Sequence, residues 1–505
     1  MRSMFKNEVL RLDGWYAFDC QSEIQKIERR KDVTKMRDME YRLIKNGTIV
    51  TSSKRYRANL YIREGKIAAI SENELDLPVC DVVDAEGKLV LPGLIDTHVH
   101  SRDGKNGAHY KEDFLHSSMS GAVSGITTIY EMPNSNPAVY NVGNLNSLVE
   151  CITPKAYTDF GVWGLCLGDL NRAELRSLAD AGVVGFKFFW GYAIDSKTYQ
   201  LIYNYKEGEE GVIPPLDLGQ IYDMFDTVAS TGKMVAIHAE DFDIIKRLTE
   251  RVQKRGDTNY AAMLESRPVI SETIVIQEAL ELAKALGVHV HILHLAAGAG
   301  VDLIRDAQAK GIPLTGETCP HYLALTDQDA EKLGAMIKGY PPVRTQADQD
   351  KLWEGLRDGT LSFVCSDHAP HSKEEKQKSL WEAPAGMATI ETMPMVMLDA
   401  VSKGKITMED LVRVLSEEPA KMFGTYPQKG CIEVGADADL VLVDPEEEYV
   451  FHQENLHSRT KLSPFDGRHF KGRVKETILR GQTIAKNGEI VGEPGGRFVK
   501  AHQAT

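Results

Sequence analysis

Two histidines with one residue between them, His98 and His100, end the apolar stretch LPGLIDTHVH. Residues two apart in a β-strand point to the same face, so both imidazoles would lie on one side. Imidazole nitrogens are preferred ligands of zinc and of similar first-row divalent ions. The pair therefore predicts part of a metal site, whose other ligands must come from elsewhere in the chain.

Four more potential ligands lie in or at the ends of other apolar stretches. They are Lys187 in VVGFKFFWGY, His238 in MVAIHAED, His294 in VHILHLAAG and Asp367 in FVCSDHAPH. A single histidine is more often an ordinary core or surface residue. A lysine in an apolar strand is unusual, because its buried charge must be paired or neutralised. Taken together, these locations favour a metal site.

Two further histidines, His289 and His291, share the apolar stretch of His294. Their parity along the strand matches each other but differs from that of His294, so they would face the other side. We predict a structural role for both.

The elements that must position these side chains are short apolar stretches separated by helix-length segments. Eight of them read as strands, at residues 89–97, 125–132, 159–168, 181–190, 233–238, 287–295, 311–318 and 361–367. Apolar strands alternating with helices are typical of a parallel sheet, and eight units in roughly 300 residues predict an α/β protein with a (β/α)8 TIM-like barrel. The alternative is an open doubly wound sheet, but no glycine-rich phosphate loop follows any of these stretches. In a barrel, the six candidate ligands would meet where the strands end.

Two β-rich regions flank this central part, at residues 41–88 and 430–492. Both alternate apolar and polar residues around NG or EGK turns, which is typical of hairpins. Neither region can bury much core alone. We therefore predict one small β-sandwich domain built from 40–88 plus 430–492, a barrel over 89–429, a C-terminal tail over 493–505 and a peripheral extension over 1–39.

Composition limits the partners and the compartment. The net charge of −14 argues against nucleic acid or an anionic membrane as the main partner, although one arginine could still bind an anionic small molecule. No apolar stretch approaches the roughly 20 residues of a membrane span, and the N-terminal residues do not resemble a signal peptide. Seven cysteines without a CxxC pair suit reduced thiols, so we expect a cytoplasmic protein.

The combined pattern resembles the amidohydrolase superfamily, and within it the cyclic amidohydrolases: hydantoinase, dihydropyrimidinase, allantoinase and dihydroorotase. The resemblance runs from Tyr41 to Phe498. It is carried by PGLIDTHVH, GITTIYEMP, GFKFF, IHAED, ETCPHYL, PPVR, SDHAPH, GADADLVLVD and SPFDG.

This resemblance implies a site with two divalent metal ions, zinc first, with manganese, cobalt or iron as alternatives. It implies that His98, His100 and Asp367 hold one ion and that His238 and His294 hold the other. It also implies that Lys187, joined to carbon dioxide as a carbamate, bridges the two ions.

The implied reaction is attack on the ring carbonyl of a cyclic amide by a hydroxide that bridges the two ions. Asp367 would act as general base and then as general acid toward the leaving nitrogen. Tyr192, five residues beyond Lys187, matches the hydantoinase and dihydropyrimidinase tyrosine that stabilises the oxyanion. Its other interpretation is an amphipathic residue at the rim of the site.

The motifs disagree about which ring is opened. Arg102 and Asn134 resemble the dihydroorotase pair that binds the substrate carboxylate, although Arg102 could instead form a loop ion pair with Glu112 or Asp113. The surroundings of Tyr192 resemble hydantoinase, and several longer stretches resemble allantoinase and L-hydantoinase. Thr389 stands where a second glycine is common in these families, so the sequence does not predict the geometry of its loop. We favour a hydantoin or allantoin ring, with dihydroorotase as the alternative.

A third interpretation is a non-catalytic scaffold with the amidohydrolase fold. All six metal positions are filled here, which favours the enzyme. The expected partners are a small cyclic amide and, by analogy with relatives that form dimers or tetramers, further copies of the chain.

Overall fold

The computed structural model describes residues 40–202 and 205–501. The predicted extension, residues 1–39, lies outside the described residues. Seven short strands come first: β1 (Tyr41–Lys45), β2 (Thr48–Val50), β3 (Arg55–Arg57), β4 (Asn59–Arg63), β5 (Lys66–Ser71), β6 (Val79–Asp84) and β7 (Leu89–Pro92). Four of them form a sheet in the order β5-β4-β1-β6. The hairpin between β4 and β5 turns at Glu64 and Gly65, which both have positive φ, as the EGK turn predicts.

From Leu94 onward, strands alternate with helices. The strands are β8 (Leu94–Val99), β9 (Ile126–Glu131), β10 (Asp159–Val162), β11 (Gly164–Leu165), β12 (Phe186–Phe189), β13 (Ala193–Asp195), β14 (Leu201–Ile202), β15 (Val212–Ile213), β16 (Val235–His238), β17 (Val290–Ile292), β18 (Leu314–Thr318) and β19 (Phe363–Val364). Each of the eight predicted stretches overlaps at least one of these strands. The α/β class predicted from the sequence is therefore confirmed.

The helices of this part lie between and after those strands. They are α1 (Phe114–Val123), α2 (Val142–Ile152), α3 (Leu175–Ala181), α4 (Leu218–Thr231), α5 (Phe242–Arg255), α6 (Tyr260–Ser266), α7 (Val269–Leu286), α8 (Gly298–Ala309), α9 (Pro320–Ala324), α10 (Ala330–Leu333), α11 (Gln346–Asp358), α12 (Lys373–Lys376), α13 (Thr392–Ser402), α14 (Met408–Val412) and α15 (Glu418–Met422). Local sequence sets their ends: α4 begins at a capping box of Asp217 and Gln220 and ends before Gly232. Among the described residues, no helix is long and apolar enough to cross a membrane.

The central strands pair in parallel, in the orders β8-β9-β10 and β11-β12-β16-β17-β18-β19. Only Trp163 separates β10 from β11, so these two segments connect the first group to the second. At the other end, Val99 pairs with His368 in a parallel bridge, and the His100 amide donates to the His368 carbonyl at 2.8 Å. The segment that follows β19 is thus paired with the end of β8, the first strand of the central sheet.

One predicted strand is wrong in its boundaries. The stretch 89–97 is divided at Gly93 into two strands of different sheets: β7 pairs with β2, whereas β8 pairs with β9. A Cβ atom at Gly93 would lie 2.1 Å from the Thr127 hydroxyl oxygen, so only glycine lets the backbone pass there. The central sheet therefore starts at Leu94 rather than at residue 89.

The last strands are β20 (Leu440–Val450), β21 (His469–Leu479), β22 (Gln482–Lys486) and β23 (Glu489–Ile490). They join the N-terminal strands in a seven-stranded sheet of order β23-β22-β21-β20-β7-β2-β3. Buried side chains of both segments form one apolar cluster, including Ile44 and Ile49 with Leu440, Leu442 and Ile478.

The residues after β23 return to the central sheet. Phe160 in β10 donates its amide to the Arg497 carbonyl at 2.9 Å and accepts from the Val499 amide at 2.7 Å. The predicted tail is therefore attached to the central sheet along a strand edge.

Candidate metal centre

The six predicted ligands all lie near the C-terminal ends of parallel strands. His98 is in β8, with His100 just beyond it. Lys187 is in β12, His238 ends β16, and His294 and Asp367 follow β17 and β19. All except the fully buried His98 line one cavity. The parallel arrangement thus brings together side chains that are far apart in sequence.

The first group consists of His98, His100 and Asp367. The two Nε2 atoms lie 3.2 Å apart. Asp367 Oδ1 is 3.3 Å from the first and 3.6 Å from the second. Three donor atoms of types that bind zinc therefore converge on one point.

The second group consists of His238 and His294, whose Nδ1 and Nε2 atoms lie 3.1 Å apart. Burial lowers the pKa of both imidazoles, and it lowers the pKa of His100 to about 4. These rings are therefore neutral at neutral pH, which is the form that binds a metal.

Lys187 is the chemical anomaly of the cavity. Its side chain is completely buried, and its Nζ has no hydrogen-bond partner within the described part of the chain. Burial lowers its pKa to about 7, so part of the population is a neutral amine at neutral pH. In its neutral form this amine has a free lone pair beside the imidazole nitrogens and the Asp367 carboxylate, and we conclude that this set of donors fits a divalent metal centre.

Hydrogen-bond partners fix the orientation of the histidine rings. His98 Nδ1 lies 2.9 Å from Glu317 Oε1, and His238 Nε2 lies 2.9 Å from Glu240 Oε2, which also pairs with Arg267. Such partners hold a ring in place and set which nitrogen faces the metal. Neither glutamate was predicted from the sequence, although Glu317 lies in the motif ETCPHYL and Glu240 in IHAED.

The backbone is strained at two of the ligands. His294 and Asp367 have φ angles of 39° and 48°, in the left-handed region that residues other than glycine rarely adopt. Such conformations persist only where surrounding contacts impose them, and they are concentrated at functional sites.

The predicted catalytic residue Tyr192 and the two predicted substrate-binding residues, Arg102 and Asn134, also line the cavity. Tyr192 Oη lies 3.3 Å from His238 Nε2. Asn134 Oδ1 accepts from His100 Nδ1 at 2.7 Å, so this residue supports a predicted metal ligand directly.

The loop ion pair considered for Arg102 is not formed. Arg102 Nε donates to the Pro370 carbonyl at 3.2 Å, and Nη2 lies 3.3 Å from His371 Nε2. Asp113 pairs with Arg459 instead, and Glu112 accepts from Ser458. Among the described ion pairs Arg102 has no carboxylate partner in direct contact, although Glu131 and Glu375 lie near enough to feel its charge.

One wall of the cavity, Ala385 to Met387, belongs to a segment without regular structure, the loop of Thr389 whose geometry the sequence left undecided. Two buried lysines hold it. Lys338 Nζ donates to the carbonyls of Leu380, Trp381 and Ala383. Lys376 Nζ donates to those of Pro384 and Gly386. Thr389, beyond this wall, is buried and donates its amide to His368 Nδ1 at 3.2 Å.

His289 and His291 lie apart from the cavity lining, and each contacts the Thr315 hydroxyl at 2.8 Å. His291 Nε2 is also 3.5 Å from Glu317 Oε2. These contacts suit the structural role predicted for the pair.

Comparison with known proteins gives consistent matches. The model of the amidohydrolase family matches residues 89–484. An L-hydantoinase of Paenarthrobacter aurescens is 35% identical over 462 residues, covering 90% of this chain and 97% of that protein. An allantoinase of Deinococcus radiodurans is 35% identical over 464 residues, covering 91% and 98%.

Solved structures agree with these sequence matches. The L-hydantoinase (dihydropyrimidinase) from Arthrobacter aurescens superposes with a TM-score of 0.85 and 35% identity, covering 92% of this chain and all of that one. A dihydropyrimidinase from Brevibacillus agri superposes with a TM-score of 0.83 and 29% identity, covering 92% and 99%.

Proposed function

Because the chain belongs to the amidohydrolase family, we propose that it is a metal-dependent hydrolase that opens a cyclic amide of the hydantoin or allantoin type. The matches to proteins named L-hydantoinase and allantoinase, over almost their whole length, confirm the resemblance to cyclic amidohydrolases. The observation that carries the proposal is the convergence of two groups of donors at the cavity that Lys187 lines: His98, His100 and Asp367 form one group, and His238 and His294 form the other.

In this proposal two divalent ions, zinc first, occupy the centre. His98, His100 and Asp367 hold one ion, and His238 and His294 hold the other. Lys187, once carboxylated by carbon dioxide with release of a proton, would offer anionic oxygen donors to both ions, which would account for a buried amine without a partner. When bound, such ions lower the pKa of water and polarise a carbonyl group.

The protein's own side chains supply proton transfer and charge stabilisation. Asp367 accepts a proton from the attacking water and returns it to the ring nitrogen that leaves. Tyr192, whose hydroxyl faces His238, donates a hydrogen bond to the oxyanion that develops on the carbonyl. Arg102 and Asn134 contact the substrate from the side of His100.

The proposed architecture is a closed (β/α)8 barrel with a composite β-sandwich domain. The bridge between Val99 and His368 supports closure, and the seven-stranded sheet that unites both ends of the chain supports the second domain. We further propose a cytoplasmic homo-oligomer, which the scattered cysteines and the analogy with relatives favour.

A second candidate is a dihydroorotase-type enzyme. The guanidinium of Arg102 lines the cavity without a carboxylate partner among the described residues, which suits a ring that carries a carboxylate. The relatives named above give this alternative less support than the hydantoin or allantoin ring.

An activity panel tests these proposals. Hydantoins, allantoin, dihydrouracil and dihydroorotate are supplied to the full chain with zinc, manganese or cobalt, and bound metal is measured in the same preparations. We expect about two ions per chain and fastest opening of a hydantoin or of allantoin. Fastest opening of dihydroorotate would favour the second candidate. A chain without divalent metal and without activity on any ring would support the scaffold interpretation.

A further inference from the structure

His321 is a buried imidazole in the wall of the cavity. It lies in α9, directly after β18, and only 1% of its surface is exposed. It lines the same cavity as Lys187, Tyr192 and Asp367. Neither ring nitrogen has a hydrogen-bond partner among the described residues. Buried polar groups are normally paired, so two unpaired nitrogens on one side chain call for a ligand.

The other histidines of the cavity differ from His321. His100 is bonded to Asn134, and His238 is bonded to Glu240, each through the nitrogen opposite the predicted metal. His294 is paired with His238 through Nε2. Of the four histidines that line the described cavity, His321 alone has both nitrogens available.

The ring of His321 is held in place by its neighbour. The Tyr322 ring packs against it at 4.1 Å between centroids, and Tyr322 Oη donates to the Pro341 carbonyl at 2.7 Å. A fixed side chain loses little freedom when it binds a ligand, which is the usual property of a recognition group.

The charge of the ring decides what it can bind. Burial lowers the pKa of His321 to about 4, so the ring is neutral at neutral pH. A neutral imidazole offers one N–H donor and one nitrogen acceptor. The two ring nitrogens point away from each other, so only one of them can contact the substrate. As an acceptor, that nitrogen fits the second ring N–H that hydantoin, allantoin and dihydrouracil carry as cyclic ureides.

We infer that His321 binds the substrate and that its imidazole accepts a hydrogen bond from the second ring N–H, which a cyclic ureide has and a cyclic imide lacks. The inference rests on the proposed function and deepens it, because it assigns recognition of one ring N–H of the substrate to a residue that is not a metal ligand. It also separates recognition from chemistry, which the metal ligands, Asp367 and Tyr192 carry out.

The test pairs a change in the protein with a change in the substrate. Succinimide is hydantoin with one ring N–H replaced by CH2. The values of kcat/KM for both are measured with the zinc-loaded full chain and with His321→Leu. Wild type should prefer hydantoin, and His321→Leu should lower its kcat/KM about 10-fold or more, because a site built for a polar group discriminates strongly. The value for succinimide should change less than about 2-fold, since it lacks the group that His321 binds.

Two further variants control the experiment. His321→Gln keeps one donor and one acceptor and should restore part of the preference for hydantoin. It also provides the measurement if His321→Leu does not fold. His469→Leu makes the same change at an exposed position of β21 outside the cavity, so the ratio of the two substrates should stay at the wild-type value.

The outcomes distinguish the two proposals. If His321→Leu lowers both substrates equally with unchanged metal content, the recognition role is wrong and the proposed function stands. If neither His321→Leu nor His321→Gln changes the ratio, the same conclusion holds. If wild-type protein with two bound metal ions opens no ring in the panel, the proposed function fails and this inference fails with it.

Discussion

At the scale of single residues, the centre depends on carboxylates that are not themselves predicted ligands. Glu317 contacts the hydroxyl of Thr97 and the rings of His98 and His291. It therefore ties β18 to β8 and β17 at the point where the ligands begin. Its pKa is held well below its ordinary value, because the hydrogen bonds and charges of His291 and His98 outweigh the cost of burial. The carboxylate stays ionised and orients His98.

Glu317→Gln should weaken metal binding about 10- to 100-fold, because an amide is a poorer acceptor for the His98 N–H. Competition with a chromophoric chelator measures the affinity without using activity. Glu331→Gln is the matched control, since Glu331 is exposed in α10. Unchanged affinity in Glu317→Gln would mean that His98 needs no orienting partner.

His98→Ala should reduce hydrolysis of every cyclic amide below detection while the fold remains. The change removes a donor from the cluster of three, and circular dichroism should match that of wild type. Full activity in this variant would refute the assignment of the metal centre.

Lys187→Ala should be inactive and should recover activity with added acetate or propionate. A short carboxylate would occupy the space of the lost side chain and replace the bridging anion. Recovery is measured as the initial rate against acid concentration, with His98→Ala as the control that no acid restores. Equal behaviour of the two variants would count against the bridging role.

At the scale of elements, the cavity has two kinds of wall. Most of it is strand ends, but residues 380–387 are irregular and depend on the ammonium groups of Lys338 and Lys376. Neither lysine is in an ion pair within the described part of the chain. Burial lowers the pKa of Lys376 to about 7, so this support weakens as the group loses its proton.

Lys338→Met should loosen residues 380–387. Each hydrogen bond to a charged group contributes about 1.5–3 kcal/mol, so amide exchange in this segment should speed up at least about 10-fold. KM should rise while bound metal stays constant, because the segment forms a wall but holds no metal. Lys332→Met, at an exposed position of α10, is the control. Unchanged exchange would show that other contacts hold the segment.

The sequence predicts elements better than it predicts their partners. All eight apolar stretches contain strands, because a buried parallel strand needs a continuous apolar run. The break at Gly93 escaped prediction because the run LVLPGLID continues across it, and only tertiary pairing assigns its halves to different sheets. The roles of Glu317 and Lys338 escaped for the same reason, since each depends on a neighbour that is distant in sequence. The six candidate ligands could be predicted from the sequence, because the C-terminal ends of the strands meet at one face of a parallel barrel.

At the scale of the whole molecule, a buried charge cluster connects the central sheet with the terminal strands. Lys429 Nζ lies 2.8 Å from Asp159 Oδ2 in β10 and 2.6 Å from Asp439 Oδ2, just before β20. Arg480, after β21, also pairs with Asp159. The cations offset the desolvation of the carboxylates, so each side of the contact needs the other.

Lys429→Met should lower the free energy of unfolding by about 3–5 kcal/mol, because two buried carboxylates lose their common cation. Urea titration at pH 7 measures the loss. Adding Asp439→Asn should recover part of it, since one uncompensated charge is then removed. A change below about 1 kcal/mol would mean that water reaches the cluster.

The pairing of the first and last strands in one sheet limits how the gene can be divided. A segment spanning 94–429 would contain every predicted ligand. It would lack Arg497 and Val499, whose backbone pairs with Phe160, and it would lack Asp439, the carboxylate that pairs with Lys429. Anyone seeking a minimal catalyst by truncation should therefore expect inclusion bodies. The same holds during synthesis on the ribosome. Strands β2, β3 and β7 are made first, and their sheet cannot be completed until β20 to β23 have been synthesised.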